Sequence, residues 1–430
     1  MEPISPDLLP DNASISPSGS LAVAGVDISV LAQRHGTPLF VYDEDHMRAR
    51  CRQVVEAFGD GAVYATKAFL CTAMAKLAHQ EGMSLDVATG GELHVALAAG
   101  VPADRLVFHG NNKSSSELAL ALGEGVGRVV IDSFDEIARI EELVAEGLPA
   151  PSVLLRITPG VEAHTHEFVR TGQDDSKFGF SVATGAAADA IAKVRRSAAM
   201  DLRGLHAHIG SQVFRNQSFA DAVDVIAGID GIGDFEELSL GGGLGVAYVG
   251  GESAPGIADW AATIVDAVRG HGIEARISVE PGRAIVAAAG ITVYTAGTIK
   301  EIEGIRTYVA VDGGMSDNPR PVLYGSGYET FMPSNAGAIR DRPIRLVGKH
   351  CETGDVLVSD GWLPASIETG DLVATPVTGA YGHSMGSNYN KVLRPAVVFV
   401  RNGQARLVVR RERYQDLLTT DLGPDGVPAV

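Results

Sequence analysis

The sequence predicts a (β/α)8 barrel followed by a second, mostly antiparallel β domain. Three observations predict it. Eight short apolar runs of β type alternate with Ala- and Leu-rich stretches of helical period. Polar or charged residues cluster just after several of those runs, where a barrel carries its catalytic rim. Beyond Ala289 the texture changes to Val- and Thr-rich alternation broken by Gly, Pro and Asp turns. An open doubly wound sheet is the competing fold, and the rim-like clusters favour the barrel.

The eight runs are Ala62–Thr66, Ser84–Ala88, Leu106–His109, Arg128–Asp132, Ser152–Thr158, Gly204–Ile209, Glu237–Leu240 and Arg276–Glu280. An amphipathic helix is expected from Asp43 to about Phe58. Further helices are expected at Cys71–Glu81, Gly91–Ala99, Ser115–Leu122, Phe134–Ala145 and Ala187–Ser197. The barrel should therefore occupy 43–289. The β domain should take 290–430, with runs at Ile291–Ile299, Arg306–Asp312, Arg345–Val347, Asp371–Thr375, Ala396–Arg401 and Ala405–Val409, and should be joined by 21–42. Residues 1–20, acidic and rich in Pro and Ser, are expected to be a flexible N-terminus.

Bulk properties narrow the function. A chain of 430 residues, 45% hydrophobic and 20% charged, can hold two cores. A net charge of −18 argues against a nucleic-acid partner, because neutralising phosphates needs clustered Lys and Arg. The three cysteines, Cys51, Cys71 and Cys351, are too scattered for a disulfide framework or a zinc cluster. The N-terminus lacks the basic and apolar regions of a signal peptide, and the run Ala284–Val293 is too short to span a bilayer. A cytoplasmic protein without a membrane partner is expected.

Several strings carry chemistry. In Val63-Tyr-Ala-Thr-Lys-Ala-Phe, Lys67 directly follows a strand, where partial burial would favour the neutral amine that forms imines. An isolated lysine there would more often be a solvated loop residue. In Gly204-Leu-His-Ala-His-Ile-Gly-Ser-Gln, His206 and His208 share one side of a strand. They suit either an H-x-H metal site, as in a metal-dependent barrel hydrolase, or a ring stacked on a flat cofactor. No convincing further ligands accompany them, and His164 and His166 lie in a polar loop, so no metal is expected.

Ser239-Leu-Gly-Gly-Gly-Leu-Gly offers backbone N–H groups to a phosphate, although a tight turn explains three glycines equally well. Val279-Glu-Pro-Gly-Arg283 sets the Glu280 carboxylate and the Arg283 guanidinium across Pro281 and Gly282. That pair suits a protonated ring nitrogen and an anionic phosphate or carboxylate, or else a structural ion pair. In the β domain the polar clusters are Asp312 to Arg320 with Tyr324, His350-Cys-Glu-Thr-Gly-Asp355, and Gly379-Ala-Tyr381. Beside Lys349 and His350, Cys351 could have thiolate character, or be a buried structural cysteine.

Taken in order, these strings resemble the alanine-racemase-like class of pyridoxal-phosphate enzymes, and within it the diaminopimelate decarboxylases. Leu85-Asp-Val-Ala-Thr-Gly-Gly-Glu-Leu, His109-Gly-Asn-Asn-Lys-Ser, Thr171-Gly-Gln-Asp-Asp-Ser-Lys-Phe-Gly and Ser384-Met-Gly-Ser-Asn-Tyr-Asn extend the resemblance from about Gly36 to Leu393. It implies pyridoxal 5'-phosphate held on Lys67 as an imine, Glu280 on the pyridine nitrogen, and His208 against the ring face. Ser211, Gly243, Pro281, Gly282 and Arg283 would line the phosphate, with Arg283 also near the substrate. Arg320, Tyr324 and Glu352 would read the distal end of the substrate, Cys351 would donate a proton, and Tyr381 would touch cofactor and substrate.

The implied reaction is decarboxylation of meso-2,6-diaminopimelate to L-lysine and CO2, the last step of lysine biosynthesis. A homodimer with shared active sites is implied too. Thr353, Ala284 and Gly382-His383 depart from the usual family residues, so substrate choice near His383 stays open. A decarboxylase of ornithine, arginine or a modified amino acid is the near alternative. A racemase would place a tyrosine base where Cys351 lies, and a dead regulatory homologue would lack Lys67 or Cys351.

Overall fold

The computed structural model describes residues 1–161, 175–424 and 426. It divides into two compact units, Arg48–Val246 with Ser253–Ala284, and Met1–Met47 with Ala247–Glu252 and Ile285–Val430.

The first unit is the barrel. Its strands run Val63–Ala65, Ser84–Val87, Leu106–Phe108, Arg128–Ile131, Ser152–Thr158, Asp201–Ala207, Glu237–Ser239 and Arg276–Ser278, each parallel to the next in sequence order. A parallel bridge between Ala62 and Val279 brings the first strand to the last, with Val63 N–H donating to Val279 O at 2.9 Å. The strands are short and almost wholly buried, as expected where helices cover the outside and side chains fill the inside. Val63, Val107, Val130 and Leu154 form one apolar cluster drawn from four of them.

The covering helices begin where the sequence supplies caps. Ser114 accepts from Glu117 N–H in a reciprocal capping box, and Ser133 caps Phe134–Ala145 through Glu136 N–H. Each of the five helices expected between barrel strands is present, within a residue or two of its expected ends. The string beginning at Thr171 and the pair His164 and His166 fall in 162–174, outside the described residues.

The second unit is built on a sheet in the order Val356–Leu363, Arg342–Val347, Arg306–Val311, Gly290–Ile302, Leu39–Asp43, Ala396–Arg401 and Gln404–Val409, with Leu372–Thr375 also paired to Gly290–Ile302. Most pairs are antiparallel; Arg306–Val311 with Arg342–Val347 and Leu39–Asp43 with Ala396–Arg401 are parallel. The 13-residue strand Gly290–Ile302 changes partners along its length, with a register shift between Ala296 and Ile299. Leu39–Asp43 is buried at every position, which matches its place between two other strands.

Two expectations differ from what is seen. Residues 1–20 are not a loose tail: Pro6–Leu8 forms a 3-10 turn, and Ala13–Ile15 pairs with Leu21–Val23. Ile4, Leu8 and Leu9 are buried, and Arg340 donates to Glu2 O at 2.9 Å. The apolar residues among the prolines and serines anchor the segment. Second, Ala247–Glu252 belongs with the β unit although it lies between barrel strands in sequence. Tyr248 stacks edge-on against Tyr328 at 5.3 Å, a long-range contact that periodicity does not reveal.

Candidate functional site

Strand ends set the site in the barrel unit. Lys67 lies in the turn Thr66–Ala68, directly after the first strand. Two hydrogen bonds brace that turn: Thr66 Oγ1 donates to Asp86 O at 2.7 Å, and Tyr64 OH donates to Phe69 O at 2.7 Å. The backbone around Lys67 is held while its side chain is exposed. The partial burial expected for this amine is therefore absent, because the residue projects from a turn rather than from the strand itself.

Glu280 follows the last strand and is 6% exposed. Its Oε1 lies 3.1 Å from His109 Nε2 and accepts from Ser239 Oγ at 3.1 Å, while its Oε2 accepts from His206 Nε2 at 3.0 Å. Burial works to raise the Glu280 carboxyl, but the neighbouring His109, with its positive charge, and the hydrogen bond from His206 outweigh it and hold the group well below the usual carboxylate range. Burial opposes a charge on His109 too, yet Asp86 and Glu280 pull its ionisation upward. Burial pushes His206 down to about 4, leaving it neutral at neutral pH, and raises Asp86 to about 6.

His208 Nδ1 accepts from Gly242 N–H at 3.2 Å, and burial, followed by the charge of Lys67, drives the imidazole well below its ordinary range. The result is a neutral ring with a defined tautomer. Beside it the glycine turn is tight: a Cβ on Gly242 would lie 2.1 Å from Glu280 O, and one on Gly243 2.1 Å from Gly210 O. Gly243 also has φ +106, so glycine is required there by both space and conformation. Arg283 Nη2 donates to Ser211 Oγ at 2.7 Å, and Pro281 O accepts from Ala65 N–H, so the Glu280–Arg283 segment sits against the strand that leads to Lys67. Lys67, His208, Ser211, Gly243, Glu280, Pro281, Gly282 and Arg283 thus come together at the C-terminal ends of the barrel strands.

The set His109, His206 and Glu280 has ligand atoms within 4.8 Å of one another, a spacing compatible with a metal ion. It differs from the His206–His208 pair suggested by the sequence, since His208 is occupied with Gly242. Sequence reasoning assigned His109, Asp86, Arg156 and Ser239 no role. His109 and Asp86 stood within quoted strings, and their places at the ends of two strands were the available signal.

In the β unit, Arg320 is 5% exposed and opens the short helix Arg320–Tyr324. Its guanidinium stacks 4.0 Å from the Tyr248 ring centre and donates to Tyr328 OH. Tyr324 is partly buried at the end of the same helix. Tyr248 and Tyr328, which the sequence did not single out, are the aromatic neighbours of Arg320. Tyr381 adopts φ +59, uncommon for a bulky residue.

Cys351 and Glu352 are exposed, on a loop whose backbone is pinned. The Asp355 carboxylate accepts from Met315 N–H at 2.6 Å and from His350 N–H at 2.8 Å. Cys351 N–H donates to Asn390 Oδ1 at 3.1 Å. Cys351 is thus not the buried structural cysteine that was its alternative reading.

Comparisons with known proteins bear on what these residues do. Residues 44–287 match the family model described as the pyridoxal-dependent decarboxylase, pyridoxal binding domain. The chain is 47% identical to the diaminopimelate decarboxylase of Mycobacterium tuberculosis over 97% of this chain and 98% of that one. It is 46% identical to the diaminopimelate decarboxylase of Bacillus subtilis over 94% of this chain and 95% of that one. Among solved structures, the diaminopimelate decarboxylase of M. jannaschii in complex with L-lysine matches with a TM-score of 0.88 and 31% identity, covering 97% of this chain and 99% of that one.

Proposed function

The chain belongs to the diaminopimelate decarboxylase family of pyridoxal-dependent enzymes, and from that membership we propose that it converts meso-2,6-diaminopimelate to L-lysine and CO2. The observation that carries this reading is identity of 46–47% to curated members along nearly the whole chain, both units included. It favours diaminopimelate over ornithine or arginine, and a decarboxylase over a metal-dependent hydrolase.

The residues at the barrel's strand ends fit pyridoxal 5'-phosphate. A buried carboxylate held ionised, a neutral imidazole of fixed tautomer, and a glycine turn too close-packed for side chains answer a ring nitrogen, a flat face and an anionic tail respectively. When bound, the cofactor supplies a sink for the electron pair left by departing CO2. Lys67 is assigned as its covalent anchor. Glu280 would keep a proton on the ring nitrogen, and His208 would lie against the ring. Ser211, Gly243, Pro281, Gly282 and Arg283 would surround the phosphate.

The substrate's distal amino-acid centre carries an ammonium and a carboxylate. Arg320 suits the carboxylate, Glu352 the ammonium, and Tyr324 and Tyr381 the carbon chain between, with Arg283 near the reacting end. The exposed thiol of Cys351 on its pinned loop is assigned as donor of the proton that replaces the carboxylate. The assembly proposed is a cytoplasmic homodimer in which Lys67 of one protomer and Cys351 of its partner serve one site. Among the described residues no helix is long and apolar enough to cross a membrane.

The deciding experiment measures CO2 release from meso-diaminopimelate, lysine, ornithine and arginine. Diaminopimelate should be turned over far faster than the others, all of which lack the distal carboxylate. Equal turnover of ornithine overturns the substrate assignment, and silence toward all four overturns the activity.

A further inference from the structure

The Glu280 carboxylate is unusual in how much of its bonding capacity is already committed. An ionised carboxylate has about four acceptor positions. Oε1 faces His109 Nε2 and Ser239 Oγ, both at 3.1 Å, and Oε2 takes the Nε2–H of His206 at 3.0 Å. The backbone is equally fixed, because Glu280 N–H donates to Gly241 O at 2.7 Å.

The two imidazoles are themselves held in place. Their rings meet edge to face at 4.9 Å, and His109 Nε2 also lies 3.9 Å from Asp86 Oδ1. His109, His206, Asp86 and Ser239 are all buried and come from four different strand ends. So many buried polar groups converging on one acid exceed what is needed to fill space.

Building on the reading that Glu280 meets the cofactor's ring nitrogen, we propose that His109 and His206 are positioning residues that clamp Glu280 as an ionised carboxylate oriented toward that nitrogen. The division of labour between them follows from their surroundings. His109 sits between two acids, Asp86 and Glu280, and is the cationic member. His206 faces only one acid and is the neutral donor, its proton on Nε2. The other charged or titratable groups acting on this cluster include Arg156, Lys67, His208, Glu92 and Glu237. Arg156, near Asp132 at 3.5 Å, discourages a second proton on the histidines.

The same three residues have a spacing that would also suit a metal ion, so metal content is one outcome of the test.

The first test needs neither cofactor nor turnover. In cofactor-free protein, imidazole NMR should find His109 titrating above the free-histidine range and His206 below it. In Glu280→Gln the His109 titration should fall toward or below that range. The second test uses the cofactor-loaded enzyme. His109→Gln keeps a side-chain donor and removes the cation, so Glu280 should hold its proton to higher pH. The acid limb of the kcat profile should move up and kcat at neutral pH should drop roughly tenfold, the scale of losing an outer-sphere orienting partner, with KM little changed. His206→Gln, which keeps a neutral donor, should retain more activity than His206→Leu.

An unshifted His109 titration in Glu280→Gln, or an acid limb unmoved in His109→Gln, overturns the clamp. So does a metal ion that co-purifies stoichiometrically and is lost from His206→Leu. Failure of the enzyme to take up pyridoxal phosphate would instead overturn the reading on which the proposal rests, leaving the NMR result to stand by itself.

Discussion

The two units treat their chemistry-bearing residues in opposite ways. At the barrel's strand ends the charged groups apart from the exposed Lys67 include buried, paired ones: Glu280 with His109 and His206, and Lys113 with Glu136 at 2.5 Å. In the β unit the backbone is what is fixed, while Cys351 and Glu352 expose their side chains on a pinned loop. Burial sets protonation by desolvation and close partners, which suits the role proposed for Glu280 in keeping a proton on the ring nitrogen. For the proton donor proposed at Cys351, the pinned backbone of its loop is what holds the thiol in place. Arg320 is the exception in the β unit. Buried against Tyr248 and Tyr328, it is arranged like a barrel residue, and it is the group assigned to a fixed charge on the substrate.

Several changes would break or sharpen this contrast. The largest effect is expected from Lys67→Ala, which should lose the absorption band of the covalently held cofactor and reduce turnover to background; an unchanged spectrum excludes Lys67 as the anchor. Next is Lys113→Met in the barrel. It strands the buried Glu136 carboxylate and removes donations to Gly110 O at 2.7 Å and Val130 O at 2.8 Å. Chemical denaturation should register a loss of about 3–5 kcal/mol, the usual cost of breaking a buried pair. If the loss is below 1 kcal/mol, the pair behaves as a surface one and the contrast in burial fails.

Arg320→Met should weaken transition-state binding of diaminopimelate by about 1.5–3 kcal/mol in kcat/KM. It should change the rate with substrates lacking the distal carboxylate much less. A uniform loss across substrates would make Arg320 a structural residue. The smallest effect is a recovery. Lys67→Ala and Cys351→Ala proteins, each nearly inactive, should regain about a quarter of wild-type activity after subunit exchange, because half the dimers would be hybrids with one intact site of two. No recovery despite proven exchange would assign both residues to one chain.

The barrel was legible because its signals are local. Alternation of apolar runs with helical stretches placed all eight strands within a few residues, and caps such as Ser114 and Ser133 mark where helices start. The positions of Lys67 and Glu280 at strand ends were legible for a related reason: each directly follows an apolar run. The β unit was read less well. The strand Val356–Leu363 was missed because Ser359, Asp360 and Gly361 interrupt its apolar pattern. Met1–Ser20 looked loose because its few anchoring residues, Ile4, Leu8 and Leu9, lie among prolines and serines.

By itself, then, the sequence determined the barrel, the order of its strand ends and the kinds of residue placed on them, since all of these depend on neighbours along the chain. Only the tertiary structure decided the partners. His109 and Glu280 are 171 positions apart (280 − 109), yet lie 3.1 Å from each other because barrel closure brings distant strand ends round one axis. Tyr248 leaves the barrel's stretch of sequence to stack with Tyr328 and Arg320, and Lys67 proves exposed where burial was expected. Which carboxylate stays ionised and which imidazole stays neutral depends on desolvation and on distances of a few ångströms, and those are properties of the folded chain.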